Sequence, residues 1–400
     1  MPEVAHAPAA DAHAHVVDGE ATAPAPTTSV DQVSMDAYDY GLPSTAIAQQ
    51  PIEPRTAARL LIGPGVNGDV KARHSAISAL PSLLRTGDVM VVNRTRVLTA
   101  RLELRRATGG AAEVLLLEPA RMGDDRWTAL VRPGRRLPPG TMLFDGPGGA
   151  PVVEVGGRAS PEQSPEPTAE PSPGPTADGR RLVRLLDPTV IDRCGQVPLP
   201  PYIHEQLVDP ERYQTVYAEP RASGDSSVAA PTAGLHFTPE LLAECESAGA
   251  RVVGLDLVIG LDTFRPITAA TPDGHVMHSE RYAVPSETMA ACRSADRVVA
   301  VGTTVVRALE SAAATGELSG RTHLFVHGAY PFRVVDLLLT NFHLPRSTLL
   351  LLVESFGGPV WRSLYATALA EGYRFLSFGD AMIVRRHDGP EGPPPEPVST

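Results

Sequence analysis

Cysteine is scarce in this chain of 400 residues, which contains only Cys194, Cys245 and Cys292. The three are odd in number and far apart, and no C-x-x-C pair occurs. This spacing argues against a disulfide framework and against a zinc site. We therefore expect reduced thiols with structural roles only.

Long apolar runs are also missing. No stretch reaches 18 consecutive apolar residues, which argues against a membrane-spanning helix. The N-terminus lacks the basic region and apolar stretch of a signal peptide. We therefore expect a cytoplasmic protein that does not span a membrane.

Nucleotide-binding fingerprints are absent as well. Neither G-x-x-x-x-G-K-[ST] nor a G-x-G-x-x-G that follows a strand occurs. A P-loop or a Rossmann-type site therefore has little support.

Lysine is nearly absent, because Lys71 is the single lysine among 35 basic residues. The formal net charge is −11, but the first 36 and last 14 residues hold nine acids and no Lys or Arg, so the remainder carries −2. A near-neutral body can still present a local basic face. The charge therefore does not exclude an RNA partner.

Three segments have the composition of disordered chain. Residues 1–36 are rich in Ala, Pro, His and Thr, residues 158–180 are rich in Pro, Glu, Ser and Thr, and residues 387–400 continue in Pro and Glu. None shows helical or strand periodicity, so we predict two disordered tails and one disordered loop.

The ordered residues show two different patterns of predicted secondary structure. Residues 87–155 contain short strands and turns, which predicts a small antiparallel barrel or sandwich that "RRLVRLL" closes after the disordered loop. From residue 197 onward, apolar strands such as "RVVGLDLVIG", "RVVAVGTT" and "THLFVHG" alternate with helical windows. This alternation favours an α/β layer on a mixed or largely parallel sheet.

Polar clusters stand at strand ends or just before helices, where α/β proteins bind ligands. They are "PTAGLHF" (231–237), "HSE" (278–280), "VGTTVVRALES" (301–311), "TNFHLPRSTL" (340–349) and "YRFLSFGDAM" (373–382). Each also has a structural explanation, because a histidine on an apolar segment such as His236 is often a satisfied core residue. Thr238 and Pro239 have the pattern of an ordinary helix start.

Two of these clusters leave alternatives open. Thr303 and Thr304 either cap a helix or, together with Arg307, hold an anion. Asn341 and His343 follow a core strand. They either form a turn or have a functional role.

A metal site is not expected. His323 and His327 stand four residues apart in "HLFVH", as in helical zinc sites. The residues between them alternate as in a strand, however, and the Glu of H-E-x-x-H is missing.

Taken together, the motifs resemble the S-adenosylmethionine:tRNA ribosyltransferase-isomerases of queuosine biosynthesis. The resemblance runs from Tyr38 to Arg385 and breaks at the 158–180 insertion. It is carried by "AQQPIEPRTAARLL", "GDVMVVNRTRV", "PLPPYI", "ERYQTVYAEP", "VAAPTAGLHF", "HVMHSERY", "VAVGTTVVRALES", "TNFHLPRSTLLLLVESFGG" and "YRFLSFGDAM".

The resemblance implies an α/β catalytic domain, formed by residues 37–97 and 188–386, and an inserted β-barrel domain at 98–187. It also implies a reaction in which the ribosyl part of S-adenosylmethionine moves to the aminomethyl-deazaguanine at the tRNA wobble position. Adenine and methionine leave, and an epoxycyclopentane forms. S-adenosylmethionine is then a co-substrate, tRNA is the partner, and no separate cofactor is expected.

Roles for single residues follow from the resemblance and from this chemistry. A base must remove the acidified ribose 5′ proton and adenine needs a proton donor, for which the candidates are His236, His278 and Glu280. The methionine carboxylate or a phosphate would be held by Thr303, Thr304 and Arg307. The ribose or base would be placed by Asn341, His343 and Asp380. Thr232 completes the predicted substrate site, and the RNA contacts are assigned to Arg94 and Arg96.

The chain departs from the family pattern inside several motifs. Where family members usually read L-H-V-G-x-G-T-F, this chain has "LVIGLDTF", so Val258 replaces a His and Asp262 replaces a Gly. Arg94 stands in place of an Asn, Thr99 in place of a Pro, and "HGAY" (327–330) replaces an aromatic-Pro-Gly-aromatic run. Two alternatives therefore stay open, a transferase with another nucleobase or small amine as acceptor and a non-catalytic RNA-binding protein. A monomer is expected, since no heptad or apolar stripe stands out.

Overall fold

The computed structural model describes residues 33–120, 124–159, 179–219, 227–260, 266–277 and 279–387. Most of the two predicted tails and of the predicted disordered loop therefore lies outside the described residues. Within the described part, Arg158 ends one strand and Arg180 begins another, so the two ends of that loop are strand residues.

The ordered chain begins earlier than the predicted tail boundary at residue 36. A 3₁₀ helix spans Met35–Tyr38, and its first residue is fully buried. The Met35 N–H donates to the Ala270 carbonyl at 2.9 Å, and Asp36 pairs with Arg346. An apolar side chain in the core holds this segment, and composition alone did not predict it.

Among the described residues, the larger of two sheets has nine strands. They are β1 Arg59–Ile62, β2 Arg73–Ala76, β3 Asp88–Asn93, β11 Arg251–Leu257, β12 Glu280–Ala283, β13 Arg297–Val301, β14 Ser319–Thr322, β15 Leu337–Asn341 and β16 Ala381–Arg385. Their order in the sheet is β14-β12-β11-β3-β13-β15-β16-β1-β2. The four central strands β11, β3, β13 and β15 are mutually parallel. Their carboxyl ends therefore lie along one edge of the sheet.

Helices cover both faces of this sheet. Apart from α1 Val190–Cys194, which lies beside the smaller sheet, they are α2 Pro239–Ser247, α3 Ser286–Ser294, α4 Thr303–Thr315, α5 Thr348–Gly357 and α6 Trp361–Ala370. Strand β3 shows why both faces are needed, since Val89 and Val91 belong to the core that includes residues of α3 to α6, while Met90 and Val92 belong to the core that includes residues of α2. A strand buried on both faces reads as a continuous apolar run, as "VMVV" does.

The smaller sheet closes into a barrel. Its six strands are β4 Arg101–Arg106, β5 Ala111–Pro119, β6 Arg126–Arg132, β7 Thr141–Phe144, β8 Val153–Arg158 and β9 Arg180–Leu185. They pair in the order β4-β5-β6-β9-β8-β7, and β7 pairs back to β4. The short strand β10 Gly195–Gln196 lies outside the predicted inserted domain at 98–187 and pairs with β4. Aliphatic side chains from alternate positions fill the interior, Leu102, Leu104 and Val114 among them.

The predicted fold class, a mixed α/β layer with a small antiparallel barrel, is confirmed. The domain boundaries at 97/98 and 187/188 stay predictions. One predicted strand is wrong, because β14 ends at Thr322 and the "HLFVH" residues that follow are not in a strand. Helix α5 was not predicted, although Ser347 caps it by accepting from the Leu350 N–H at 3.2 Å.

Candidate functional site

The carboxyl ends of the central parallel strands carry the candidate site. Strand β13 leads into Gly302 and helix α4, strand β15 ends at Asn341, and β11 leads toward Ile259. Ligands of open α/β sheets bind at this edge, because the loops that leave neighbouring strands converge there. We call it the carboxyl edge.

Two adjoining cavities lie at the carboxyl edge, each with a volume of about 30 Å³. Four residues line both cavities, namely Thr232, Asn341, His343 and Leu349. Thr303 and Thr304 line one of the two. The structure therefore brings together five of the residues predicted to bind substrate.

Helix α4 begins beside the cavity, and a threonine in its first turn has a hydroxyl without a hydrogen-bond partner among the described residues. Gly302 precedes the helix at φ +95°, a conformation that favours glycine, and no side chain caps the first turn. The capping alternative for the two threonines is therefore wrong. Thr304 is 8% exposed, and its hydroxyl has no hydrogen-bond partner among the described residues. The first N–H groups of a helix favour an anion, and this hydroxyl adds a donor beside them.

Asn341 connects three segments around the cavity. Its amide oxygen accepts from the Thr232 hydroxyl at 3.0 Å. Its amide nitrogen donates to the carbonyls of Leu376 and Asp380 at 3.0 and 3.3 Å. Since Asn341 is 2% exposed, these bonds fix the relative positions of the 231–237 and 376–380 segments.

His343 presents a neutral ring to both cavities. Its Nε2 lies 3.0 Å from the Thr340 hydroxyl, and its backbone N–H donates to the Tyr365 hydroxyl at 2.9 Å. Burial lowers the pKa of His343 to about 3. At neutral pH the ring therefore carries no charge that would repel a cationic ligand.

His236 faces backbone rather than the cavities. Its Nδ1 lies 3.0 Å from the Ala233 carbonyl oxygen, and its Nε2 lies 2.9 Å from that of Gly379. Burial lowers the pKa of His236 below its ordinary value, although both carbonyls favour the protonated form. The ring closes the 3₁₀ turn Thr232–His236 and joins it to the 376–380 segment. Thr238 caps α2 as predicted, accepting from the Leu241 N–H at 3.2 Å.

Asp380 also holds backbone. Its two carboxylate oxygens accept from the N–H groups of Arg59 and Arg374 at 2.9 and 2.8 Å. The side chain is 2% exposed and does not line the two cavities.

Glu280 and Arg307 form a buried ion pair beside the site. The other Glu280 oxygen accepts from the Gly260 N–H at 3.1 Å, and Arg307 Nε donates to the Leu324 carbonyl at 3.1 Å. One nitrogen of the Arg307 guanidinium, Nη2, is buried without a partner among the described residues. The pair therefore fixes the chain that follows β11. His278, the third residue predicted for proton transfer, lies outside the described residues.

The two arginines predicted to bind RNA contact carboxylates of the same chain. Arg94 lies 3.5 Å from Glu219 and 3.9 Å from Asp256, and Arg96 pairs with Glu211 at 2.8 Å. Neither lines the cavities at the carboxyl edge.

Sequence reasoning missed Arg55. Its guanidinium donates to the carbonyls of Gln214, Leu235 and Glu211 at 2.9, 3.1 and 3.1 Å. These bonds join the "ERYQTVY" segment to the 231–237 turn. The same two segments meet at Gly234, where a Cβ would lie 2.0 Å from the Tyr217 hydroxyl oxygen. No local sequence pattern predicts contacts between segments so far apart in sequence.

The family departures fall in different places. Val258 does not line the cavities, and its N–H donates to the Arg281 carbonyl at 2.9 Å. Its neighbour Ile259 does line one of them. Asp262 lies outside the described residues. Thr99 lines a separate groove beside the barrel.

The three cysteines form no disulfide among the described residues, in agreement with the predicted reduced thiols. Cys194, Cys245 and Cys292 are unpaired, and burial raises the pKa of Cys245 to about 12 and that of Cys292 to about 11. Within the described ranges, no group of three or more His, Cys, Asp or Glu residues could hold a metal ion. In the same ranges, no helix is both long and apolar enough to cross a bilayer.

The model of the family described as "Queuosine biosynthesis protein" matches residues 35–384. The chain belongs to this family. It is 46% identical over 365 residues to the S-adenosylmethionine:tRNA ribosyltransferase-isomerase of Moorella thermoacetica, a match that covers 88% of this chain and 99% of the relative. The protein of the same name from Thermus thermophilus is 47% identical over 364 residues, again covering 88% and 99%.

A solved structure also matches. The S-adenosylmethionine tRNA ribosyltransferase of Thermotoga maritima is 31% identical, with a TM-score of 0.46, and the match covers 86% of this chain and 99% of that one. The family model and the two curated relatives confirm the resemblance read from the motifs, and with it the prediction of a transferase/isomerase. The assignment of single site residues stays a prediction.

Proposed function

We propose that this chain transfers the ribosyl part of S-adenosylmethionine to the aminomethyl-deazaguanine at the tRNA wobble position and isomerises it to the epoxycyclopentane. Adenine and methionine leave. Family membership over residues 35–384 supports the reaction, and the curated relatives at 46% and 47% identity carry the name of this activity.

One observation carries the placement of S-adenosylmethionine. Thr304 lines the cavity at the first turn of the 13-residue helix α4, and its buried hydroxyl has no partner among the described residues. A carboxylate is the part of S-adenosylmethionine that a helix N-terminus and a hydroxyl donor favour. We place the methionine carboxylate there, against Thr303 and Thr304.

The remainder of the co-substrate then extends toward His343 and Asn341. The sulfonium is positively charged, so a side chain that burial keeps neutral is better suited to lie beside it than a cation. His343 meets this condition, because its pKa of about 3 keeps the ring neutral. We assign it a hydrogen bond to the ribose or the base.

His236 and Glu280 receive positioning roles in this proposal. Both His236 nitrogens face carbonyl oxygens of the chain, and both Glu280 oxygens contact protein groups. A general base needs a lone pair directed at the proton that it removes. Proton transfer by His236 or Glu280 would require these contacts to break, and His278 remains the candidate without a described environment.

Localisation in the cytoplasm, the monomeric state and the absence of a separate cofactor remain expectations. Contact with RNA through Arg94 and Arg96 would require each arginine to exchange a carboxylate of this chain for a phosphate.

The test is adenine and methionine release followed by mass spectrometry, with S-adenosylmethionine and tRNA that carries the aminomethyl-deazaguanine. We expect both products, and a modified tRNA, only when this tRNA is present. Release without tRNA would favour the alternative acceptor. S-adenosylmethionine that binds but stays intact, while an active relative turns over in parallel, would contradict the reaction.

A further inference from the structure

A second recess lies between the barrel and residues 195–210, apart from the carboxyl edge. We call it the barrel groove, and its volume is about 820 Å³. That size falls within the range of about 300 to 1,000 Å³ that small-ligand sites occupy. Its barrel wall consists of side chains from β4, β5 and β6, namely Arg101, Glu103, Glu113, Leu115, Leu130 and Arg132.

The strand register places two leucines and one arginine side by side in one row of this wall. Leu115 lies opposite Arg101 on β4 and opposite Leu130 on β6. Pro200 and Pro201 line the facing wall. Arg101 Nε is buried without a hydrogen-bond partner among the described residues. Two apolar walls suit a flat ring, and Arg101, which also lines the groove, places a positive charge beside it.

The neighbouring row sets two carboxylates against each other. Glu103 lies directly opposite Glu113, which lies opposite Arg132 on its other side. Like charges directly opposite each other destabilise a sheet, so this pair does not serve its stability. Carboxylates repel phosphate but accept hydrogen bonds from base N–H groups. The row is therefore suited to a base edge rather than to the nucleic-acid backbone.

One segment connects the groove to the carboxyl edge. Tyr202 lines a carboxyl-edge cavity, with its hydroxyl 2.8 Å from Ser377 Oγ, and the next two residues, Ile203 and His204, line the groove. Gln49 fixes this segment, since its amide donates to the Tyr202 carbonyl at 2.9 Å and accepts from the His204 N–H at 2.8 Å. A polymer with one nucleotide at the carboxyl edge would have its neighbours close to the groove.

We infer that the barrel groove binds an unpaired base adjacent to the nucleotide that the enzyme modifies. The base lies against Leu115 and Leu130, and an N–H group on its edge donates to Glu103 or Glu113. The inference rests on the proposed transfer to tRNA and adds a site that reads the sequence of the loop.

The test is a double-mutant cycle between protein and RNA. Binding of fluorescent anticodon stem-loop RNAs is measured by anisotropy at constant salt, with the intact loop and with an abasic residue at either neighbour of the modified position. At one of these positions, we expect the abasic RNA to bind wild-type protein about tenfold more weakly, as for the loss of one stacked base. Leu130→Ala and Glu103→Ala should weaken binding of the intact RNA. For these variants, removal of the base should reduce the affinity only a little further.

Arg105→Ala is the matched control, because Arg105 also lies on β4 and is exposed but does not line the groove. It should behave as the wild type with every RNA. The inference is overturned if the losses from groove variant and abasic residue simply add, or if both groove variants bind every RNA as the wild type does. Since binding needs no turnover, a wild type that shows this coupling but releases no adenine would contradict the proposed reaction and leave the groove assignment standing.

Discussion

The carboxyl edge and the barrel groove present polar side chains under opposite conditions. At the edge, Asn341, His343 and Asp380 are at most 7% exposed, and each bonds to other parts of the chain. In the groove, Glu103 and Arg132 are exposed and stand beside apolar residues. Buried and fixed groups can hold reacting atoms in place, whereas exposed groups exchange water for a ligand at low cost. We therefore assign the chemistry to the edge and recognition of the RNA to the groove.

The largest expected effect concerns the fixed groups of the edge. Asp380→Ala leaves the Arg59 and Arg374 N–H groups without their acceptor and should lower the free energy of unfolding by about 2 to 4 kcal/mol. Urea denaturation measures this change. Asp380→Asn keeps one acceptor oxygen and should lose less. Equal stability of Asp380→Ala and the wild type would show that the edge is not held in this way.

The neutral state of His343 gives the edge a pH dependence. The pKa of this ring is about 3 in the folded chain and about 6.5 in the unfolded one, so the unfolded state binds the proton first and acid favours unfolding. The contribution is fully present above pH 6.5 and falls as the pH drops toward 3. Between pH 6.5 and 4.5 the wild type should lose about 2 kcal/mol more than His343→Asn. Parallel pH profiles of the two proteins would contradict a buried neutral ring.

Arg55 tests whether the 231–237 turn must be held for catalysis. Arg55→Ala removes three bonds to carbonyls of two segments, and we expect kcat to fall about tenfold while the KM for S-adenosylmethionine changes little. Arg55→Lys, which keeps the charge but not the planar fork, should recover part of kcat. An unchanged kcat in a folded Arg55→Ala protein would show that catalysis does not depend on the bonds that Arg55 makes.

The smallest effect is expected at the surface. Arg96→Ala breaks an ion pair whose members are 37% and 64% exposed, and the free energy of unfolding should change by less than about 1 kcal/mol. If Arg96 also contacts a phosphate, tRNA binding should lose about one unit of its salt slope. An unchanged slope would leave Arg96 with the ion pair alone.

Local pattern predicted the elements well. The alternating burial of β4 and the continuous burial of β3 follow from their sequences, and β4 and β5 lie within residues 87–155, where short strands were predicted. It failed at "HLFVH", where alternation suggests a strand. Thr322 pairs with Glu280, the first residue of β12, so the residues after Thr322 extend past the beginning of that strand. Helix α5 was missed because its nearly unbroken apolar run hides helical periodicity.

The position of the candidate residues at one edge of the sheet was predictable, but the orientation of their side chains was not. Motif positions at strand ends brought Thr232, Thr304, Asn341 and His343 to one edge, as the parallel topology requires. That His236 bonds to Gly379, and Arg55 to Leu235, depends on contacts across 143 and 180 residues. Whether a histidine faces a ligand or a carbonyl is decided by such contacts, which no local spacing encodes.

The most direct measurement of the central claim is the affinity for S-adenosylmethionine, by isothermal titration calorimetry, of Thr304→Val and Thr304→Ser. Loss of a hydrogen bond to a charged carboxylate should weaken binding by Thr304→Val about 10- to 100-fold, while Thr304→Ser stays near the wild type. The stability of Thr304→Val should not fall, because the hydroxyl has no partner in the described structure to lose. If both variants bind S-adenosylmethionine as the wild type does, the co-substrate does not lie at the start of α4.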